Sequence, residues 1–590
     1  MSFLAVFNAD GTPIDGETIG LMPAKAERHL KLLGPSRQIA LLWTAPDAEL
    51  EDRDARHAVE LDGRFWLVGR IRLDRRGELC SLLGAPEKES DALLCLRAYA
   101  HWGERCVERL YGDFCFVLWD ERRRQLFCAR DQLGVRPLFH ACADGSWFIG
   151  DSLDAVAGAS GLTGELDDFW IADFLTGPFC LDVDRTVYKH VKRLAPAHTL
   201  TVSRDGGAVK KYWSLDLKEP IFYRRPSRYI EHFHHVLARA IEDRLPAAGR
   251  VGISMSGGLD STTLAAKAVG VTGDASRVVA FTNVFERLIP DEEAHFSALV
   301  ARRLGISHQL RAADDGYELQ PNDLTVPVQE PGGPSVHRTN RRAVETEMAS
   351  RAKVWLHGEG PDNALTFEWR AHLRWLARRR DWLRLLGAVG RYFRGKEARE
   401  WLMTVTHLRS SPQQGTNAVP WARFPDWLDR EFAERLGLAA RAASAMNRLR
   451  QNESWRPGAM ASFTSPIWQT YFEYFDPVLS GSSLDVRHPY TDLEVLTFML
   501  RTPPIPWGRR KRLIRDAMRG VLPEEVLARD KAPLTVDPRS KVERKEPFPP
   551  LSIDPALRRF IDPTKLPDAA AFGIEPLDKI RALDAWLRDR

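Results

Sequence analysis

The stretch VGISMSGGLDSTTL at residues 251–264 decides the fold of the second half of this chain. It predicts a buried strand, then a turn built on Gly257 and Gly258, then the start of a helix. Two glycines allow the backbone to approach an anion closely, and the N–H groups of a first helical turn point towards negative charge. The stretch therefore indicates a phosphate-binding loop at the carboxyl end of a strand.

Three side chains of this loop extend the prediction to a nucleotide triphosphate. Ser256 and Ser261 offer hydroxyl groups to phosphate oxygens, and Asp260 offers a carboxylate ligand to the Mg²⁺ that accompanies ATP. The sequence does not continue as GxxxxGK(S/T), so it does not indicate a phosphate-transferring Walker loop. An ordinary glycine turn at the start of a helix is the alternative explanation of these residues alone.

Composition is typical of a globular protein with more than one domain. The chain has 590 residues, of which 44% are hydrophobic and 28% charged, and its formal net charge of +4 argues against nucleic acid as a partner. Seven cysteines fall in the first third without a CxxC pair, which favours reduced thiols over a zinc site or a disulfide framework. Because the sequence shows neither a signal peptide nor a long apolar run, we expect a cytoplasmic protein without a membrane partner.

The pattern of apolar segments changes near residue 215. Before this point, short alternating segments predict an α+β domain over residues 1–213. The predicted elements are strands at residues 3–7, 65–72, 114–119, 125–129, 147–150 and 199–202 and a helix at residues 90–102.

Residues 220–590 begin with alternating helices and strands. The elements predicted around the glycine loop are helices at residues 227–244 and 291–304 and strands at residues 278–284 and 354–357. This alternation predicts a doubly wound parallel sheet with ligand sites at the carboxyl ends of its strands. From residue 366 onward we expect a mainly helical part, in which the charged, proline-containing residues 537–550 form a loop.

Four later segments, taken together with SGGLDS, resemble the asparagine synthetase family. They are HGEGPDN at residues 357–363, DVRHPYTD at 485–492, KRLIR at 511–515 and LPEEVLARDK at 522–531, and they follow the family's order. The resemblance implies an adenine nucleotide α-hydrolase-like sheet within residues 220–590. It also implies that ATP is split to AMP and pyrophosphate while a carboxyl group is activated.

The resemblance also implies roles for individual residues. The residues that would bind ATP are Ser256, Gly257, Gly258, Asp260, Ser261 and Lys511. Asp260 and Asp362 would be the magnesium ligands, and Lys511 or Arg515 would steady the pyrophosphate. Lys531 would stabilise the activated intermediate and Glu359 would orient or deprotonate the attacking amine, although Glu359 could instead cap a helix N-terminus.

Other residues are expected near the nucleotide or in the protein core. We expect backbone groups of residues 281–284 to bind adenine, with Asp291 and Glu292 near the nucleotide. For Asp485, Arg487 and Asp492 we favour a buried ion-pair brace over a chemical role. His308 is interpreted as a core histidine.

Two segments of the first half, YGDFCFVLWD at residues 111–120 and ARDQLGVRPL at 129–138, resemble the glutaminase domain of the same enzymes. This implies an Ntn-hydrolase-like sandwich over residues 1–213. The nucleophilic cysteine expected at the start is replaced by Met1-Ser2-Phe3, and the glutamine-binding segment by VGRIR at residues 68–72. A thioether is not a nucleophile, and Ser2, if Met1 were removed, would be a weak one. We therefore expect a degenerate domain that is a structural remnant or a platform for a partner.

Without an internal ammonia source, the attacking amine must come from elsewhere. The lasso peptide macrolactam cyclases of this family join a peptide's N-terminal amine to an Asp or Glu side chain. An ammonia-dependent asparagine synthetase is the alternative, and a non-catalytic nucleotide-binding scaffold is the third hypothesis. The segment GPDNAL at residues 360–365 departs from the synthetase continuation GSDExxGGY beside the acceptor site, which favours the cyclase. The expected partners are then a peptide substrate and a leader-peptide protease or a peptide-recognition protein.

Residues 369–384 form a distinct segment, with tryptophans and leucines on one side and arginines on the other. The pattern predicts one amphipathic helix. The leading interpretation is a surface helix that packs its apolar side on the core. A groove for an extended, partly acidic peptide is the second interpretation, and a membrane-surface helix is the third.

Overall fold

The structure is a computed structural model. It describes residues 2–14, 28–34, 37–44, 58–314, 328–331, 338–393, 424–450, 454–530, 541, 553–566 and 574–590. None of the helices in these ranges combines the length and the apolar character that crossing a membrane requires. All seven cysteines are free thiols, and five of them are buried.

The strands of the described residues form three sheets. They are β1 Phe3–Asn8, β2 Arg28–Leu33, β3 Ile39–Thr44, β4 Ala58–Leu61, β5 Phe65–Leu73, β6 Gly112–Asp120, β7 Gln125–Arg130, β8 Phe139–Ala143, β9 Ser146–Gly150, β10 Lys192–Arg193, β11 His198–Ser203, β12 Gly206–Lys211, β13 Val251–Ser254, β14 Val278–Val284, β15 Ser307–Ala312, β16 Val354–Leu356 and β17 Asp485–Arg487.

The α-helices of the described residues lie mostly in the second half of the chain. They are α1 Arg76–Leu83, α2 Asp91–Trp102, α3 Leu153–Ser160, α4 Asp168–Thr176, α5 Ser227–Glu242, α6 Leu259–Thr272, α7 Glu293–Leu304, α8 Arg338–Ala349, α9 Pro361–Ala364, α10 Trp369–Arg378, α11 Trp382–Phe393, α12 Arg430–Arg435, α13 Leu438–Arg450, α14 Pro457–Phe463, α15 Ile467–Phe475, α16 Pro477–Ser480, α17 Leu493–Arg501, α18 Pro504–Trp507, α19 Arg512–Ala517, α20 Glu524–Ala528 and α21 Ile574–Arg588.

The first two sheets form an antiparallel sandwich. Their strand orders are β10-β8-β9-β1-β3-β2 and β12-β11-β7-β6-β5-β4. Side chains from both sheets, including Phe3, Val117 and Leu200, share one buried cluster between them. The alternation of inward and outward residues follows from the two-residue period of a strand. The predicted α+β sandwich of the first half is confirmed.

The third sheet is parallel, with strand order β15-β14-β13-β16-β17. Its central strand is β13, which leads into the glycine loop, and β16 beside it leads into residues 357–362. Because the carboxyl ends of parallel strands meet at one edge, these two loops are neighbours. Gly252 is required on β13, because a Cβ there would lie 2.3 Å from the ring of Trp355. The predicted doubly wound sheet is confirmed.

The second half departs from the sequence prediction in two places. The part after residue 366 also contributes a strand, β17, to the edge of the parallel sheet. The single helix expected over residues 369–384 is two helices, α10 and α11, because Arg380 adopts a left-handed conformation with φ 56°. Asp381 then begins the second helix, where its carboxylate accepts a hydrogen bond from the N–H of Arg384 at 3.2 Å. Leu376 on α10 is fully buried, whereas Trp382 and Leu383 on α11 are exposed, so the apolar side of this segment packs on the core in α10 but not at the start of α11.

The two halves of the chain share a hydrophobic cluster. Ile580 and Leu583 of α21, at the end of the chain, are buried in the same cluster as Leu4 and Val6 of β1. The boundary between residues 1–213 and 220–590, predicted from sequence pattern, therefore does not separate two independent cores.

Candidate functional site

The glycine loop leads from β13 into α6 and is held by its own serines. The N–H of Ser256 donates to Oγ of Ser261 at 3.0 Å, and the N–H of Gly258 donates to Oγ of Ser256 at 3.1 Å. A Cβ on Gly257 would lie 2.4 Å from Cβ of Phe296, so only glycine fits there. The loop therefore has a fixed shape with backbone N–H groups at its turn.

Two carboxylates and one ammonium group meet beside this loop. Asp260 lies in the first turn of α6, and Asp362 lies in the short helix α9 that follows β16. Nζ of Lys511 lies 2.5 Å from Oδ2 of Asp260 and 2.6 Å from Oδ1 of Asp362. Three segments that are distant in sequence thus converge on one charged cluster, as the sequence predicts for both aspartates.

The backbone at Lys511 is strained. Both Arg510 and Lys511 have φ 51°, in the left-handed region that costs a residue with a side chain roughly 1–2 kcal/mol. Such conformations persist where the surrounding structure holds them, and they are concentrated at functional sites. Here the conformation directs Lys511 to the two aspartates.

The cluster carries an excess of negative charge. Burial raises the pKa of Asp260 to about 6; Lys511 opposes this rise, while Asp362 and Glu359 add to it. Burial alone would lower the pKa of Lys511, but the attraction of both aspartates raises it. Both shifts indicate that a further positive charge would stabilise the site.

These residues fit a magnesium ion that arrives with a nucleotide. Oδ1 of Asp260 is buried and has no hydrogen-bond partner in the protein, so it is available as a ligand. Among the described residues, no group of three or more His, Cys, Asp or Glu side chains could hold a metal by itself. Mg²⁺ commonly takes one or two carboxylates and completes its shell with phosphate oxygens and water. Asp260 and Asp362 match that donor set.

Glu359 lies at the end of β16, in the loop beside Asp260. Its side chain is exposed, and its charge acts on Asp260 and on Tyr471. Burial raises the pKa of Tyr471, whose hydroxyl lies 2.7 Å from Nδ1 of His357. The structure therefore places Glu359 at the open side of the site, with neutral groups on the inner side.

A carboxylate that the sequence did not single out contacts the glycine loop. The N–H of Gly257 donates to Oε2 of Glu293, and Nη2 of Arg529 donates to Oε1 of Glu293 at 3.0 Å. Glu293 thus accepts a hydrogen bond from the same N–H group that would donate to a phosphate oxygen. No local pattern reveals this contact, because Glu293 follows Gly257 by 36 residues. Arg529 lies within the quoted LPEEVLARDK segment, so a motif-based signal existed for it.

The two acidic residues that we expected near the nucleotide lie at the start of α7. Asp291 accepts hydrogen bonds from the N–H groups of Phe285 and Glu293, both at 2.6 Å, and so fixes the turn before α7. Glu292 is the residue that precedes α7. Within the described residues, the neighbouring Glu293 makes the loop contact instead.

The remaining predicted residues take structural positions. Nε of Arg487 lies 2.8 Å from Asp485, and Nη1 of Arg244 lies 3.2 Å from Asp492, which are buried ion pairs. Nη2 of Arg515 donates to the carbonyl of Arg529 at 2.8 Å.

His308 and Lys531 are the last two residues whose roles were predicted from the sequence. His308 lies 3.0 Å from the hydroxyl of Thr282. Lys531 lies outside the described residues, so its proposed role stays a prediction.

The start of the chain forms a second charged cluster. Oγ of Ser2 donates to Asp151 at 2.6 Å, and Nε of Arg70 lies 2.8 Å from the same carboxylate. Nη2 of Arg70 lies 2.9 Å from Asp476 in the second half of the chain. Arg70, Asp151 and Asp476 are all buried. The VGRIR segment therefore places a buried arginine beside the residue where a glutaminase would carry its nucleophile.

Two family models match parts of this chain. A family model described as a glutamine amidotransferase domain matches residues 51–213, and one described as asparagine synthase matches residues 232–550.

Three relatives illustrate the range of similar proteins. Asparagine synthetase (glutamine-hydrolyzing) 3 of Bacillus subtilis is 24% identical over 78% of this chain and 73% of the relative. A putative asparagine synthetase (glutamine-hydrolyzing) of Mycobacterium tuberculosis is 28% identical over 55% of this chain and 48% of the relative. Amidase chyE of Penicillium rubens is 28% identical over 46% and 42%. The chain thus spans about half the length of the last two.

Proposed function

Because the chain belongs to the asparagine synthase family of ATP-dependent carbon–nitrogen ligases, we propose that its converging carboxylates activate a substrate carboxyl group for attack by an amine. The observation that carries this proposal is the cluster of Asp260, Asp362 and Lys511 beside the glycine loop. Two carboxylates next to a backbone anion site, one of which retains an available oxygen in Oδ1 of Asp260, form the arrangement that a magnesium nucleotide needs.

In the first step, backbone groups of Gly257 and Gly258 and the hydroxyls of Ser256 and Ser261 bind the β- and γ-phosphates. Mg²⁺, when bound by Asp260 and Asp362, would neutralise charge on the phosphate oxygens. A substrate carboxylate oxygen attacks the α-phosphorus, and the bond to pyrophosphate breaks. Lys511 supplies the positive charge that stabilises the leaving pyrophosphate.

In the second step, an amine attacks the acyl carbon and AMP leaves with the electron pair of the broken bond. The nitrogen must lose a proton as the amide forms. Glu359 is the proposed acceptor, because its carboxylate is exposed at the open side of the site. Lys531 is the proposed donor to the tetrahedral oxyanion, on the family resemblance alone.

We further propose that the amine belongs to a peptide, so that the product is a lasso-type macrolactam joining an N-terminal amine to an Asp or Glu side chain. Two features support this. The GPDNAL segment alters the wall beside the acceptor, and the cluster of Ser2, Arg70 and Asp151 replaces the groups that would release ammonia from glutamine. Ammonia-dependent synthesis of asparagine is the alternative. A leader-peptide protease or a recognition protein would be the partner.

Product analysis with the purified full chain tests both levels of the proposal. ATP and MgCl₂ are supplied either with aspartate and ammonium or with a precursor peptide, with and without its recognition partner. A cyclase yields AMP, pyrophosphate and a peptide that has lost one water, and asparagine formation would instead establish the alternative. Asp260→Ala is the control for the reaction class. If it released AMP as fast as the unmodified protein, the ligase mechanism at this site would be wrong.

A further inference from the structure

A large cavity lies next to the site, and the mechanism above does not use it. Its volume is about 770 Å³, which is within the range of ligand cavities in proteins. Its walls come from residues 222–230, from residues 367–392, which include α10 and α11, and from residues 503–528.

The cavity wall is strongly basic. Eight arginines line it, among them Arg384 and Arg391 of α11, against only two acidic residues, Asp516 and Glu524. Ion pairs use part of this charge, because Asp516 pairs with Arg512 and Arg519, both at 3.0 Å, and Arg384 pairs with Asp381 at 2.7 Å. The arginines of the wall still outnumber these carboxylates. A concave surface with this charge raises the local concentration of anions and favours a ligand that carries several carboxylates.

Aromatic rings alternate with the arginines. The guanidinium of Arg384 lies 4.2 Å from the ring centroid of Phe222, and the rings of Tyr229 and Trp507 are 4.9 Å apart. The hydroxyl of Tyr229 donates to the carbonyl of Ile221 at 2.7 Å, so this ring offers its apolar body. Such a wall can bind apolar side chains between acidic ones.

The cavity is joined to the charged cluster through one backbone segment. Arg510 lines the cavity, while the next residue, Lys511, contacts Asp260 and Asp362. The left-handed conformation of both residues places their side chains in these two different environments. A ligand that fills the cavity therefore lies directly beside the segment that carries Lys511.

We propose that this cavity binds an acidic, partly apolar segment of the extended peptide substrate and delivers a carboxyl group towards the Asp260–Lys511 cluster. This inference rests on the proposed function, since it names the class of substrate. A peptide fits better than a nucleic acid, because the arginines are gathered in one cavity while the whole chain carries a formal net charge of only +4.

Fluorescence anisotropy with three labelled decapeptides tests the binding site. Each peptide carries one tryptophan, and its other variable positions are glutamates, glutamines or lysines. The full-length protein is compared with R384E/R391E on α11 and with the matched control R374E/R378E on α10, whose two arginines are exposed and lie outside the cavity lining.

The glutamate peptide should bind at least about tenfold more tightly than the glutamine peptide, and should lose about tenfold in R384E/R391E but not in R374E/R378E. The lysine peptide should bind R384E/R391E better than the unmodified protein, a gain that misfolding cannot produce. Equal binding of the glutamate and glutamine peptides, or an equal loss in both variants, would overturn the inference. The inference would also be overturned if poly(U) RNA displaced the labelled peptide more effectively than unlabelled peptide does, when both are compared at the same concentration of negative charges.

Two outcomes separate this inference from the proposed function. Charge-dependent peptide binding without release of AMP from ATP in the presence of any of the peptides would leave the cavity as a peptide site and refute the proposed ligation of a peptide. Release of AMP with a peptide KM that is the same for glutamate and glutamine versions would refute the cavity inference and leave the reaction intact.

Discussion

Replacement of Asp260 by asparagine should make the protein more stable and less active. In the nucleotide-free protein this carboxylate shares its surroundings with Asp362 and Glu359, and among the described residues Lys511 is the cation in direct contact with it. An asparagine has nearly the same shape and removes one of these negative charges. The ionised carboxylate of Asp260, which the reaction requires, thus lowers the stability of the folded protein.

The size of this cost follows from the pKa of Asp260. A pKa of about 6 instead of 3.8 means that the ionised form is disfavoured by roughly 3 kcal/mol relative to the unfolded chain. Asparagine still buries a polar group, and Lys511 keeps only Asp362 as a partner. We therefore expect a net gain of roughly 1–2 kcal/mol in the free energy of unfolding near pH 8.

The sign of the pH dependence is fixed by the direction of the shift. Because the folded-state pKa is raised, ionisation of Asp260 destabilises the protein fully above about pH 6, and this penalty declines as the pH falls towards 3.8. The ionisation penalty should be about 3 kcal/mol near pH 8 and about half of that near pH 5, so the net advantage of Asp260→Asn should be largest near pH 8 and nearly vanish near pH 5. The kcat/KM of the unmodified protein for ATP should fall as the pH decreases through about 6, because a proton then competes with magnesium for the Asp260 carboxylate of the free enzyme.

Urea unfolding at the two pH values measures the stability, and release of AMP and pyrophosphate measures the activity. We expect AMP formation to fall by about 100-fold or more, since a metal ligand is worth several kcal/mol of charge stabilisation. Asp243→Asn is the control: burial raises the pKa of Asp243 to about 6 as well, but this residue lies outside the site. It should share the stability trend and keep full activity. A loss of stability in Asp260→Asn at pH 8 would refute the electrostatic reasoning.

Other predictions address the loop, its carboxylate and the first half of the chain. Gly257→Ala should abolish stabilisation by ATP and cost roughly 1–3 kcal/mol in thermal unfolding, whereas Gly270→Ala, which meets nothing within 4 Å, should gain about 0.5 kcal/mol; equal effects would show that the loop tolerates a Cβ. Glu293→Gln should bind ATP about fivefold more tightly by calorimetry, because a neutral amide competes less well for the loop N–H, while Glu292→Gln should not; the reverse order would assign the nucleotide contact to Glu292. Arg70→Ala should cost roughly 3–5 kcal/mol in urea unfolding, since Asp151 stays buried without its cation and Asp476 keeps only Arg136 at 3.6 Å. A loss under about 1 kcal/mol would mean that water reaches these carboxylates.

Much of the site could be predicted because, in a parallel sheet, the loops that follow neighbouring strands lie at the same edge and therefore close together. The apolar run before Gly257 and the strand before Glu359 had to pair side by side, and both loops had to lie at their carboxyl ends. Asp260 and Asp362 follow directly from that geometry. The glycines were informative for the same reason, because close approach leaves no alternative residue.

The remaining features depend on contacts that no local pattern encodes. The strand at Asp485–Arg487 has only three residues and is stabilised by pairing with β16. Three residues are too few to show the alternating hydrophobic pattern from which a strand is predicted. Glu293 differs from Glu292 only in its direction at the start of a helix. The left-handed conformation of Arg380 divides a continuous amphipathic pattern into two helices. The sequence did not predict this break, because helix propensities do not reveal a positive φ at a single residue.

The retained first half of the chain has a physical explanation that does not require glutamine chemistry. Its arginines provide the counter-charges for carboxylates at the edge of the parallel sheet: Arg130 and Arg193 pair with Glu473 at 3.3 and 3.1 Å, and Arg136 pairs with Asp485 at 3.1 Å.

These contacts reach the site through the sheet. Burial favours the neutral acid at Asp485, yet Arg487 and Arg136 together lower its pKa, so this carboxylate stays ionised on β17. Strand β17 is paired with β16, whose end carries Glu359 and leads to Asp362. Buried carboxylates left without these arginines would cost several kcal/mol, which the short strand β17 could not offset by its own pairing. These ion pairs therefore give the first half of the chain a role in positioning the second.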